Sequence, residues 1–239
     1  MKLYVYCFAD GLDSPHNLPR GVSGARIRLI KFEDLSLLVS ACTGNFFHQI
    51  RKNALAHNAV VRSVFNQTTP LPCRFGTIVT DKQLRNYVST HKQALKNRLA
   101  HVRGAAEMNL RINGPRLNTL PASEREQAVG PGTRFLLDKR KELRGEEWRA
   151  AQEKELSAWL GEKLGGLIRD ERIYVVPHER CLLARVDHLV DRSDIEKYRE
   201  KAGGAIQERP DIRFLVSGPW PPYSFANIGL EFSSQFGVS

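Results

Sequence analysis

The sequence predicts an α+β protein of two domains. These are an N-terminal mixed α+β layer domain over residues 1–105 and a C-terminal ferredoxin-like domain over residues 106–239. Two observations carry this reading. Up to about residue 105, strand-like apolar runs and stretches of helical spacing follow one another as β-β-β-α-β-α. The remainder reads β-α-β-β-α-β, the order of the split βαβ unit, which packs two helices on one face of a four-stranded antiparallel sheet. With 239 residues, each half can bury a core.

Leu3 to Phe8 is the first strand. Residues 10–24, with Asp10, Gly11, Pro15, Pro19, Gly21 and Gly24, are a loop. Ile27–Ile30 and Leu35–Val39 are two more strands joined by a turn at Glu33-Asp34. Asn45 is placed to cap a helix over 46–66, with Ile50, Ala54, His57, Val61 and Val64 on its apolar face. Leu71 to Val79 is extended, and Pro72 favours an edge position there. Thr80 and Gln83 have capping-box spacing and open a helix carrying Leu84, Val88, His91, Leu95, Leu99 and Val102.

In the second half, Met108–Ile112 is a short strand, and residues 113–133 are a Pro/Gly-rich loop. A long helix over 134–168 presents Leu156, Trp159, Leu160, Leu164 and Leu167 on one face. Ile173–Val176 and Cys181–Val190 are strands. Ser193-Asp194-Ile195-Glu196 has the form of a second capping box, opening a helix with Ile195, Tyr198, Ala202 and Ile206 inward. Asp211–Ser217 is the last strand.

Composition narrows the function classes. Hydrophobic residues make up 41% and charged residues 26%, ordinary values for a globular protein. No apolar run reaches the roughly 18 residues of a membrane-spanning helix. The apolar N-terminus is too short for a signal peptide, so the expected location is cytoplasmic. Cys7, Cys42, Cys73 and Cys181 show no metal-ligand spacing and read as reduced core thiols. The net charge of +10 favours acidic partners, but the densest basic cluster, Lys139-Arg140-Lys141, is interleaved with acids as on a solvated helix. No nucleotide-binding loop, serine-nucleophile motif or zinc motif is present. No catalytic, cofactor or metal residue is therefore assigned. His57 reads as a satisfied core histidine, and Glu107 has no partner at the sequence level.

Two segments stand out. Arg74-Phe75-Gly76-Thr77 sets a charge within an apolar extended run, and a buried charge needs a partner. That partner is either an element of this chain or a recognised ligand. Ser217 to Phe225 packs three prolines, a glycine and three aromatics into nine residues. Proline fixes φ and restricts the residue before it, so Trp220, Tyr223 and Phe225 point in nearly fixed directions. Such rings either lock a junction at the edge of a core or present a preorganised contact surface.

Gly218–Phe225 resembles the C-terminal signature of the gas vesicle protein L/F family (GvpL/GvpF). Leu3–Cys7 is similar to that family's opening strand. His57–Val61 followed by Pro70–Thr77 is similar to its helix and Arg-Phe-Gly block, and Leu183–Arg192 followed by the Pro/aromatic segment to its final strand-helix-strand. Asn58 departs from the Glu usual in the family, so an acid that could pair with Arg74 is missing. The resemblance implies a non-enzymatic accessory protein of gas vesicle assembly, associated with the vesicle and needing no cofactor. Its implied partners are the small hydrophobic gas vesicle shell protein and other accessory gas vesicle proteins. Arg74, Phe75, Trp220, Pro222, Tyr223 and Phe225 are the expected contact residues, and strand addition along the 71–79 edge is one expected mode. Charge and strand order leave a basic RNA-recognition-like module as the alternative. The strands at 108–112 and 182–190 carry no aromatic for base stacking, which makes nucleic acid an unlikely partner. A small hydrolase or transferase is the other alternative, opposed by the missing motifs.

Overall fold

Leu3 to Ala9, seven consecutive residues of the first strand, are all buried. Such continuous burial is that of a strand covered on both faces. In the computed structural model, which describes residues 2–12, 17–42, 49–114, 131–176 and 182–226 (side chains of 131–144 and 182 excepted), this strand lies inside a five-stranded sheet. The strands are β1 (Lys2–Asp10), β2 (Ile27–Phe32), β3 (Leu35–Ala41), β4 (Leu71–Pro72) and β5 (Ile78–Thr80). Their order is β2-β3-β1-β4, with β5 also pairing β1, and the β1 and β2 pairings are antiparallel. Two helices belong to the same part of the chain, α1 (Ile50–Phe65) and α2 (Asp81–Val102). The expected capping box at the start of α2 forms in both directions between Thr80 and Gln83.

A second sheet contains β6 (Ala105–Gly114), β7 (Ile168–Val176), β8 (Leu182–Asp191) and β9 (Arg213–Trp220), in the order β7-β8-β6-β9. β8 thus lies between β6 and β7, the strands that α3 (Pro131–Leu164) connects. This is the split βαβ arrangement the sequence predicts. Leu156, Leu160 and Leu164 of α3 and Tyr198, Ala202 and Ala205 of α4 (Ile195–Glu208) are buried. Trp159 stacks on Phe214 of β9 with ring centroids 5.3 Å apart.

By contacts the chain divides into two compact units. One is Met1–Glu107 with the chain from Pro219 onward, and the other is Met108–Gly218. The Pro/aromatic segment therefore groups by contacts with the first unit, whereas the sequence places it with the second half. Other expectations also change. Residues 71–79 are not one strand but two short ones, separated by a turn in which Gly76 has φ 89°. Only glycine enters that region without strain. The buried face of α1 is Asn53, His57, Val60, Val61, Val64 and Phe65, while Ile50 is exposed. The face is rotated because Asn53 turns inward to accept a hydrogen bond from Ser23 N–H at 3.0 Å. The second capping box does not form. β8 runs to Asp191 and leads straight into a 3-10 turn at Arg192–Asp194, which places Ser193 before the helix boundary, and Asp194 makes no side-chain cap. The last strand continues through Pro219 to Trp220, which is possible because β9 is an edge strand. The expected Asn45 cap, most of the Pro/Gly-rich loop and Cys181 lie outside the described residues.

Within the second unit a polar network ties four elements together. His188 is buried. Its Nδ1 lies 2.7 Å from Tyr198 Oη, and its Nε2 lies 2.9 Å from Glu171 Oε2. Ser157 Oγ donates to the other Glu171 oxygen at 2.6 Å. The hydrogen bond from His188 holds the Glu171 carboxyl below its ordinary range, helped by Ser157 and opposed by burial. Glu171→Ala leaves the Ser157 hydroxyl and the buried His188 ring without an acceptor. It should destabilise the protein by about 1–3 kcal/mol. Urea unfolding measures this, and a change below about 0.5 kcal/mol, the range of ordinary surface substitutions, would show that the network is not structural.

Candidate partner-binding surface

The first unit brings together three of the segments that carry the family resemblance, and a tyrosine on β1 joins two of them. Gly76 N–H donates to Tyr4 Oη at 3.0 Å, and Tyr4 Oη lies 3.0 Å from His57 Nδ1. With the oxygen accepting from Gly76, its own proton satisfies Nδ1, which puts the ring proton of a neutral His57 on Nε2. The rings pack around this bond. Tyr4 and Tyr6 are 4.8 Å apart, His57 stacks on Tyr6 at 5.6 Å, and Phe75 meets His57 edge-on at 5.9 Å. Tyr6 Oη accepts from Val22 N–H at 2.8 Å and lies 3.0 Å from Ser40 Oγ. Gly21 is required beside it, since a Cβ there would come within 2.1 Å of the Tyr6 oxygen.

The third segment returns to the same unit. After Trp220 the chain turns at Tyr223–Phe225, with Phe225 N–H bonded to Pro222 O at 3.3 Å. Glu107, buried and unassigned from sequence, accepts from Ser224 N–H at 2.7 Å and from Ser224 Oγ at 3.1 Å. Tyr223 Oη donates to Asn58 Oδ1 at 3.2 Å. The Arg62 guanidinium lies over the Trp220 ring, 5.6 Å from its centroid. Asn58 and Arg62 are one helical turn apart on α1, so α1 meets both rings along one edge.

The expected contact residues separate into two layers. Phe75, Trp220 and Tyr223 remain 37%, 38% and 37% exposed. Phe225 and Pro222 are buried and support the turn from beneath. Arg74 is exposed, contrary to the expectation of a buried charge, because it opens the turn between β4 and β5 rather than lying within a strand. Thr77 closes that turn, donating to Arg74 O from its hydroxyl at 2.7 Å. Asn58, the departure noted in the sequence, serves Tyr223 instead of Arg74.

Around the site, burial pushes the phenols of Tyr4 and Tyr223 well above the usual tyrosine range. It also pushes the Cys73 thiol up to about 12 and raises Cys7. Both cysteines are free and buried, a poor setting for a nucleophile. Among the described residues, no three His, Cys, Asp or Glu side chains are placed to hold a metal ion, and no helix is long and apolar enough to cross a membrane.

Burial lowers His57 from 6.5 to about 4, only partly offset by the nearby Cys73 backbone, while its Nε2 makes no hydrogen bond of good geometry. Between these values the unfolded chain binds a proton that the folded ring does not. The stability linked to His57 is therefore complete above pH 6.5 and is lost as pH falls toward 4, by roughly 3 kcal/mol at most. Denaturant unfolding across this range should show that slope in the native protein and a flatter one in His57→Phe. An unchanged slope would assign the effect to another group. Glu107→Ala removes the acceptor of Ser224 N–H and should cost about 1–3 kcal/mol by the same measurement. A cost below about 0.5 kcal/mol would mean that the turn does not depend on it.

Comparisons with known proteins give the family and the fold. The profile of a family described as gas vesicle synthesis protein GvpL/GvpF matches residues 2–227. Gas vesicle protein L1 of Halobacterium salinarum is 25% identical, over 93% of this chain and 89% of that protein. Gas vesicle protein L of a Streptomyces species is 27% identical, over 95% and 94%. The fold is shared with two crystal structures of gas vesicle protein GvpF. The one from Microcystis aeruginosa has a TM-score of 0.69 at 16% identity, covering 94% of this chain and 98% of that one. The one from Anabaena has a TM-score of 0.66 at 14% identity, covering 94% and 95%. With the profile matched from β1 through the Pro/aromatic turn, the chain belongs to the GvpL/GvpF family of gas vesicle synthesis proteins.

Proposed function

We propose that this protein acts in gas vesicle assembly as a non-catalytic cytoplasmic factor that binds the small hydrophobic shell subunit, and that Phe75, Trp220 and Tyr223 form the contact with Arg74 beside them. The observation that carries this reading is three large aromatic side chains held exposed while the residues beneath them are locked. Rings ordered before binding lose little entropy when a partner covers them, so their apolar area goes into affinity. Aromatic residues also dominate the energetics of most protein interfaces. A shell subunit with an apolar face would aggregate if left uncovered, which is the property such a surface suits. The binding mode rests on side chains. β4 has only two residues, which leaves no continuous 71–79 edge for strand addition.

The test is co-purification of the tagged protein with the co-expressed small shell subunit, after nuclease treatment and a high-salt wash. The double variant Phe75→Ala/Trp220→Ala should keep its circular dichroism spectrum and lower the retained subunit at least tenfold. Undiminished retention by a folded double variant would remove these rings from the contact. Loss of the subunit, with nucleic acid co-eluting before the nuclease step, would overturn the assembly reading.

A further inference from the structure

We infer that the open face of the second sheet is a docking surface for one acidic amphipathic helix of a partner protein. This surface lies in the second unit and is independent of the aromatic contact proposed above. Phe214 of β9 packs toward Trp159 of α3, so alternate residues of β9 point to the opposite side. Those residues are Arg213 and Leu215. Register sets Tyr174 of β7 opposite Arg185 of β8. Asn109 Nδ2 donates to Asp187 Oδ1 at 2.6 Å, which puts Asn109, and with it Arg111, on the face of Arg185 and Asp187. One face thus carries Arg111, Tyr174, Val176, Arg185, Arg213 and Leu215.

Its composition is not that of a solvated sheet face, where polar residues of both signs alternate with the core. Tyr174, Val176 and Leu215 are 48%, 53% and 62% exposed. Asp187 is fully buried and already holds Arg185 in two bonds, at 2.9 and 2.5 Å, besides Asn109. Asp170 lies further along β7, opposite Leu189. Arg111 and Arg213 are exposed and have no ion-pair partner among the described residues. The face therefore offers apolar area and uncompensated positive charge together. Its cations are arginines, whose planar forks match carboxylates in two bonds. Three strand spacings make it about 14 Å wide, which suits a helix of about 10–12 Å diameter. A layer of helix is the usual cover for a sheet face. Single-stranded nucleic acid fits less well, because the Arg185 guanidinium sits 5.4 Å from the Tyr174 ring centroid, over the surface a base would stack on.

Fluorescence anisotropy on the full chain tests this with a labelled 18-residue helical peptide of leucine and glutamate, its leucine/lysine counterpart, and a 12-nucleotide oligouridine. The glutamate peptide should bind, and the lysine peptide should not. Arg111→Ser/Arg213→Ser and, separately, Leu215→Ser should each weaken binding about tenfold while melting stays unchanged. Arg20→Ser/Arg28→Ser removes the same charge from the first unit and should change binding less than twofold. Equal loss in that control, absence of binding by the glutamate peptide, or displacement of the peptide by oligouridine at lower concentration would each overturn the inference.

Discussion

A single phenol oxygen organises the first unit. Tyr4 sits on a strand buried on both sides, and its hydroxyl cannot be left unpaired there without a cost comparable to a lost hydrogen bond. It accepts from the backbone of Gly76 and faces Nδ1 of His57, residues that lie 72 and 53 positions away in the chain. The turn between β4 and β5 and the helix α1 are thereby fixed to the same atom. Phe75, next to Gly76, takes its place against His57 because of it. Burial keeps the histidine neutral, which leaves its Nδ1 able to accept from the tyrosine.

The Pro/aromatic turn depends on a second compensation of the same kind. Glu107 is a carboxylate out of water, and such a group is tolerable only when donors converge on it. Ser224 supplies two, from backbone and side chain. Proline stiffness alone would orient Trp220 and Tyr223 relative to their own backbone. The contacts of Glu107, Asn58 and Arg62 orient that backbone relative to α1.

Much of this was legible in the sequence where local chemistry decides structure. The Thr80–Gln83 box, the β-α-β-β-α-β order and the buried His57 follow from spacing and propensity, and the structure keeps them. The readings that changed are those decided by distant partners. Arg74 looks buried by its apolar neighbours, but β4 ends at Pro72 and a turn with a left-handed glycine at 76 follows, which leaves Arg74 exposed. The rotation of α1 depends on Ser23, thirty residues before Asn53. Glu107 could not be assigned because its partner lies 117 residues later. Ser193-x-x-Glu196 matched a capping pattern, but patterns do not report where a preceding strand ends. The open sheet face was invisible as a unit, because its arginines come from three strands of one sheet.

The discontinuity of the first unit has a consequence for synthesis. A ribosome makes Met1–Glu107 first, then the whole of Met108–Gly218, and only afterwards the residues that bind Glu107. Domains generally fold as their chain emerges. Here the β1 core can collapse early, while the Glu107 carboxylate waits for Ser224 over the translation of more than a hundred codons. Until then the nascent chain carries Phe75 but neither Trp220 nor Tyr223, and the three rings come together only after Met108–Gly218 has been made.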